Sequence, residues 1–445
     1  MGQRRIIRGA RLLPLDGRRQ QRRGDVLMEG GLIAAIGGIK DPGGAELVET
    51  TAALIPGLVQ AHVHLDEAIL DRRFVSNFDP LVHYEVDLLR WLERQDEATL
   101  SLQARSGLGR GLLAGATSFC DVGRVQHRAV AVEAALELGV RLVALLDAHA
   151  EDVPRALDRF RERYQESPRV RPGLWLGDAE TASATVLAAA GKRAETEALP
   201  LFAHVGRLPG ARGGVERLAR AGALHRHTVL CHGRAGSLQG HAARIADAQA
   251  TVVLSPAADL MVGAAPPALL PLLEAGVELA LGADGGASRT ELDPFRDARL
   301  LFGLLRGWVE QPASRALEIA AHGGARALGF GSGTLEVGQP ADVVLVDVAH
   351  VDSDDHEALA RRILDHGGPE QVRSVYVGGE RVAADGRPEN LILPTMEEED
   401  HVRARIMPRL SAPLPFGVRA KLALRRALAV DRGWGLHRLP FKEER

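Results

Sequence analysis

Apolar runs punctuated by Gly- and Pro-rich turns recur along the chain, and stretches of helical spacing lie between most of them. Candidate strands occupy residues 54–62, 116–121, 140–147, 173–178, 200–205, 227–232, 251–255 and 277–284. Intervening segments such as VEAALELG and PPALLPLLEAG place apolar residues at the three- and four-residue spacing of a helix that buries one face. Eight strands alternating with helices over roughly 270 residues match the size and rhythm of an α/β (β/α)8 TIM barrel. A doubly wound open sheet is the competing arrangement, and no GxGxxG follows the first strand to favour a dinucleotide site.

The flanks have a different texture. RRIIRGARLL, GDVLMEGG, GLIAAIGGI and the region around AELVET read as short strands joined by Gly-rich turns, as do GTLEVGQPADVVLVD and VRSVYVGGERVAADGR. Residues 1–55 and 332–395 are therefore expected to build one small, β-sandwich-like domain beside a barrel of residues 56–331. Residues 396–445 are expected to form a C-terminal helical tail, with helices beginning at EEEDHVRARI and in the basic, amphipathic FGVRAKLALRRALAV. The second helix is read as packing on the barrel or on another subunit, with membrane contact as the lesser alternative.

Composition narrows the function classes. The 445 residues are 46% hydrophobic, enough for a large core, and the net charge of −3 gives no bulk attraction to nucleic acid or an anionic membrane. The two cysteines, Cys120 and Cys231, imply no disulfide framework and fit a reducing compartment. The segment MGQRRIIRGARLLPLDG lacks a signal-peptide apolar core, and no apolar run has membrane-spanning length. A cytoplasmic protein acting on a small molecule, with no nucleic-acid or membrane partner, is the expectation.

Candidate chemistry gathers at strand ends. His62 and His64 follow the run ALIPGLVQA, and alternation in a strand sends both side chains to one side. His204 ends LPLFAHVG, His232 ends HTVLCHG, and Asp284 ends VELALGAD. In a (β/α)8 barrel these positions share the face that carries active sites. Imidazole and carboxylate together suit a borderline divalent cation, zinc or ferrous iron.

These residues stand in PGLVQAHVHLDE, GATSFCD, FAHVG, VLCHG, LGADGGAS, HGGARALG and GTLEVGQPADVVLVD, which follow one another from about residue 5 to about residue 390. In that order they resemble the amidohydrolase superfamily, and most closely its branch of atrazine chlorohydrolase, cytosine and guanine deaminases and related aminohydrolases. The resemblance implies one divalent metal ion per chain held by His62, His64, His204 and Asp284. It implies that His232 contacts the attacking water or the substrate, and that Asp284 also accepts a proton. Metal-activated water would attack an electrophilic carbon, and a general acid would protonate the leaving group. It further implies a homodimer or larger oligomer. Strand four, PGLWLGDAE, lacks the lysine of dinuclear members, so a mononuclear site is expected.

Two departures qualify the resemblance. Relatives commonly read His-x-x-Glu at strand five, where the chain has His204-Val205-Gly206-Arg207. Arg207 cannot act as the missing carboxylate and is read as a substrate-binding residue for a carboxylate or oxyanion. At strand seven the frequent Asn is replaced by Asp259. Glu67, where relatives often place a substrate-contacting Gln, is read as a second substrate-binding residue, and Glu67 or Asp66 as a replacement for part of the proton shuttle. Asp178 and Thr181 are candidate pocket residues or plain loop residues. Phe74, Phe78, His83, Tyr84 and Trp91 are read mainly as loop packing. The expected activity is metal-dependent hydrolysis of a C–N bond in a small, nitrogen-rich cyclic substrate, by deamination or a related hydrolytic displacement. The alternatives are hydrolysis of a cyclic amide or lactam bearing a carboxylate, and a catalytically silent binding relative.

Overall fold

The computed structural model describes residues 4–18, 22–40, 43–70, 91–92, 95–123, 128–207, 211–261, 269–285, 292–348 and 355–406. Phe74, Phe78, His83, Tyr84 and the segment FGVRAKLALRRALAV lie outside them.

The N-terminal flank supplies β1 (Arg5–Leu12), β2 (Arg22–Glu29), β3 (Leu32–Gly37), β4 (Glu46–Glu49) and β5 (Ala53–Pro56). β1 pairs antiparallel with β2, and β2 with β3, while β4 and β5 lie parallel to β1. The chain then enters eight parallel strands: β6 (Leu58–His64), β7 (Ala116–Asp121), β8 (Arg141–Asp147), β9 (Val170–Asp178), β10 (Leu201–Val205), β11 (Thr228–His232), β12 (Thr251–Leu254) and β13 (Glu278–Leu281). They neighbour one another in chain order. β14 (Asp284–Gly285) continues the last of them and pairs with β6, which closes the ring. Helices such as Glu97–Leu113, Arg128–Leu138 and Ala184–Glu197 connect successive strands. The fold is a TIM barrel with an additional β-domain.

The candidate strand at 54–62 proves to be two. β5 belongs to the flanking sheet and β6 to the barrel, and Gly57 stands between them where a Cβ would lie 2.1 Å from Thr117 Oγ1. Side chains alternate around the barrel wall. Val59, Ala61, Cys120, Val143, Leu145, Phe202, Val229, Cys231, Val253 and Ala280 pack together inside. Leu142, Leu174, Leu201, Leu230, Val252 and Leu279 belong to the layer that meets the helices. Neither cysteine forms a disulfide.

The C-terminal strands return to the first sheet. β15 (Val343–Val346) lies antiparallel to β5, followed by β16 (Val372–Val377), β17 (Glu380–Ala384) and β18 (Arg387–Pro388) in a meander. Strands from both ends of the chain thus share one sheet, with the DVVLVD run at its centre. The helix expected near EEEDHVRARI spans Met396–Ile406. No described helix is long and apolar enough to cross a membrane.

A buried ion pair ties sheet to barrel. Arg141, at the start of β8, donates to both carboxylate oxygens of Asp342 at 2.6 and 2.9 Å, and Asp342 also accepts from Gly378 N–H at 2.8 Å. The Asp342 side chain has no solvent exposure. Removing only the cation leaves a buried, uncompensated carboxylate. Arg141→Met is therefore expected to cost about 3–5 kcal/mol in urea unfolding. A cost near zero would show that the two sheets do not depend on this tie.

Candidate active site

The C-terminal rim of the barrel gathers His62, His64, His204, His232 and Asp284 into one cluster, and the backbone explains how. On β6 the inward residues are Val59 and Ala61, yet His62 and His64 also face inward and Val63 packs outward. The β6–β7 register slips between Gln60 and Val63, and such an irregularity switches the inward set from odd to even positions. On β11, Val229 and Cys231 point inward; His232 then turns inward too because its backbone is left-handed, with φ 77°. Asp284 is likewise left-handed at φ 63°. Two glycines clear the ground around it. A Cβ at Gly282 would lie 2.7 Å from His62 N, and one at Gly285 would lie 2.0 Å from Glu67 Oε2.

Three imidazole nitrogens converge. His62 Nε2 lies 3.2 Å from His64 Nε2 and 3.4 Å from His204 Nε2. Asp284 Oδ1 is 3.7 Å from His62 Nε2 and 3.5 Å from His64 Nε2. Nitrogen ligands at the usual zinc distance of about 2.0–2.1 Å in a tetrahedron stand roughly 3.3 Å apart. The imidazole spacing is therefore that of a ligand shell, and the residues fit a divalent cation. His232 lies beside them, its ring centroid 5.1 Å from that of His62 and 4.7 Å from that of His204. His62, His232 and Asp284 also lie close enough together to share an ion.

Electrostatics favours ligation. Burial lowers the His62 pKa well below 6.5, with Asp284 opposing the shift and the neighbouring imidazoles adding to it. Burial, then Arg234, lowers His232 well below the usual value. Burial brings His204 down to about 4 despite Asp178. His64 moves the other way, since Glu67 and Asp284 outweigh its burial and raise it. Burial favours protonation of Asp284, but His62 and Arg234 overcome it and hold the carboxyl at about 2. At neutral pH His62, His204 and His232 thus present unprotonated nitrogens and Asp284 an ionised carboxylate, the forms that bind metal.

An amidohydrolase-family model matches residues 53–382, well over half of the chain. The chain belongs to the amidohydrolase family. Among its relatives, a 5-methylthioadenosine/S-adenosylhomocysteine deaminase of Halobacterium salinarum is 30% identical over 361 residues, covering 73% of this chain and 80% of the relative. A 5'-deoxyadenosine deaminase of Methanothermobacter thermautotrophicus is 28% identical, covering 77% and 84%. Among solved structures, an adenosine deaminase from Xanthomonas campestris with bound zinc superposes with a TM-score of 0.76 at 21% identity, over 91% of this chain and 98% of that one. A zinc complex of atrazine chlorohydrolase from Arthrobacter aurescens gives 0.76 at 22% identity, over 91% and 100%.

The departures from the family pattern take definite positions in this amidohydrolase. Glu67, 3% exposed, places Oε1 3.5 Å from His64 Nδ1 and, with Asp66, sits close to that imidazole. Arg207 donates through Nε and Nη2 to the two oxygens of Asp178, each at 2.8 Å. Asp178 Oδ1 is in turn 3.5 Å from His204 Nδ1. Despite partial burial, the Arg207 hydrogen bonds and His204 hold the Asp178 carboxyl far below the usual range. Thr181 donates to Asp178 O in the loop, and Trp91 packs, fully buried, with Nε1 donating to Asp66 O. Sequence reasoning passed over Arg234, which lies between Asp259 and Asp284. Its signal was a charged residue two places after the strand-six histidine, at a strand end where the barrel directs side chains inward.

Two outcomes follow. Gly282→Ala forces β6 away from the rim and is expected to destabilise the protein by about 1–3 kcal/mol, read in urea unfolding, and to weaken metal retention; unchanged stability and retention would contradict the close packing. In metal-stripped protein, His62, His204 and His232 resist protons that the unfolded chain binds from about pH 6.5 downward, while His64 contributes in the opposite sense. The urea midpoint is expected to fall as pH is lowered from 6.5 toward 4, and a flat or rising midpoint would contradict the shifts.

Proposed function

We propose that this amidohydrolase holds one divalent cation with His62, His64, His204 and Asp284 and hydrolyses a C–N bond of a small, nitrogen-rich cyclic substrate. The single observation that carries this reading is the approach of His62 Nε2 to 3.2 and 3.4 Å from the Nε2 atoms of His64 and His204, beside Asp284 Oδ1. The bound cation supplies the Lewis acidity that makes water a nucleophile near neutral pH. His232, buried and neutral next to that centre, orients the water or the substrate and exchanges a proton with it. Zinc is the first metal to test because the relatives of known structure named above contain it; iron accepts the same donors.

Within this proposal the barrel of residues 56–331 is the catalytic unit, residues 1–55 and 332–395 form the supporting domain, and residues 396–445 form a helical tail. Homo-oligomeric assembly belongs to the same expectation. Glu67 and Arg207 face the substrate. The names of the curated relatives make the amino group of an adenosine-like nucleoside the leaving group to test first. The Asp178 pair compensates Arg207, which weakens Arg207 as an anchor for an anionic substrate and places hydrolysis of a carboxylated cyclic amide second.

Protein loaded with zinc should release ammonia from at least one member of a panel of aminated purine nucleosides and heterocycles. His232→Ala should reduce that rate by about 10²–10⁴-fold, and Asp284→Asn should abolish it. Zinc-loaded protein that releases no ammonia but opens a cyclic amide would replace deamination with the second reading.

A further inference from the structure

Arg234 is an arginine almost without solvent, 3% exposed, at the rim of the barrel. Its position is built rather than incidental. His232 and Gly233 are consecutive left-handed residues, with φ 77° and 78°, and they turn the chain so that both His232 and Arg234 reach the cluster. Gly233 has no room for a side chain, because a Cβ there would lie 2.4 Å from Leu238 Cδ1. The guanidinium then bridges two carboxylates. Nε donates to Asp259 Oδ1, and Nη2 donates to Asp284 Oδ2 at 3.2 Å. Asp259 is fully buried at the start of the short helix Pro256–Met261.

The two oxygens of Asp284 therefore have different neighbours. Oδ1 faces His62 and His64, and Oδ2 faces Arg234. A carboxylate divided in this way is fixed in rotation and offers one oxygen to the imidazole cluster. Burying the guanidinium for that purpose requires a second anion, which the fully buried Asp259 supplies. Outer partners that orient a ligand commonly change metal affinity by about 10–100-fold.

We propose that Arg234, compensated by Asp259, is a positioning residue that holds Asp284 in one-oxygen ligation and thereby sets how firmly this amidohydrolase retains its cation. The inference rests on the metal-site reading above. Its test is built around the pair. Arg234→Met alone removes a positive charge near the site, and that change favours cation binding while the loss of orientation opposes it. Arg234→Met combined with Asp259→Asn removes one charge of each sign, so net charge is kept and the loss of orientation is what remains.

Three proteins would be loaded with zinc: wild type, the double variant, and Arg234→Lys, which keeps the charge without the fork. Release of zinc to a chelator is followed with each, and the visible spectrum is recorded after replacement by cobalt. The double variant is expected to release zinc about tenfold faster or more and to show altered cobalt bands, while its circular dichroism matches wild type. Arg234→Lys should fall between the two. A folded double variant with wild-type release and wild-type cobalt bands would overturn the inference. So would failure of both variants to fold, which would make the pair a structural prop. If wild type itself holds no zinc or cobalt, the metal-site reading fails first and takes this inference with it.

Discussion

His62 Nε2 lies within 3.4 Å of the Nε2 atoms of both His64 and His204, and the three cannot all carry protons toward one another. Burial strips water from them and disfavours charge on His62 and His204, while the carboxylate of Asp284 stands opposite. Such an arrangement leaves basic lone pairs without partners in a low-dielectric space, which is costly unless a cation occupies the centre. The rest of the rim follows from this constraint. The β6 register slip, the left-handed His232 and Asp284, and the glycines at 282 and 285 all bring side chains closer than regular strands would allow.

Charge around the cluster is managed by two arginine–carboxylate pairs. Asp178 approaches Nδ1 of His204 and is held ionised by Arg207. Asp259 compensates Arg234 beside Asp284. Arg207 stands where relatives often carry a glutamate, and its fork is occupied by a carboxylate from the preceding strand. Glu67 and Asp66 are carboxylates near the imidazoles on the β6 side, with Glu67 wedged against Gly285 and 3.5 Å from His64.

Much of this was legible in the sequence because alternation and strand ends are local features. His62, His64, His204, His232 and Asp284 could be found from apolar runs that stop at a polar residue, and the β15 strand from the DVVLVD run. Boundaries were less visible. The run through residues 54–62 is largely apolar, and its division at Gly57 lies in the partners that its two halves find, β1 and β15 for one and β7 for the other. Likewise, nothing local predicts that Arg207 would turn to Asp178 or that Arg234 would join Asp259 to Asp284. Those contacts join residues 29, 25 and 50 positions apart, and they exist only once the barrel has closed.

The most direct test of this account is anomalous diffraction at the zinc edge from crystals of zinc-loaded protein. The account predicts one peak about 2.0–2.2 Å from Nε2 of His62, His64 and His204 and from Oδ1 of Asp284. No peak at that point, or a zinc ion held instead by Asp66 and Glu67, would contradict it.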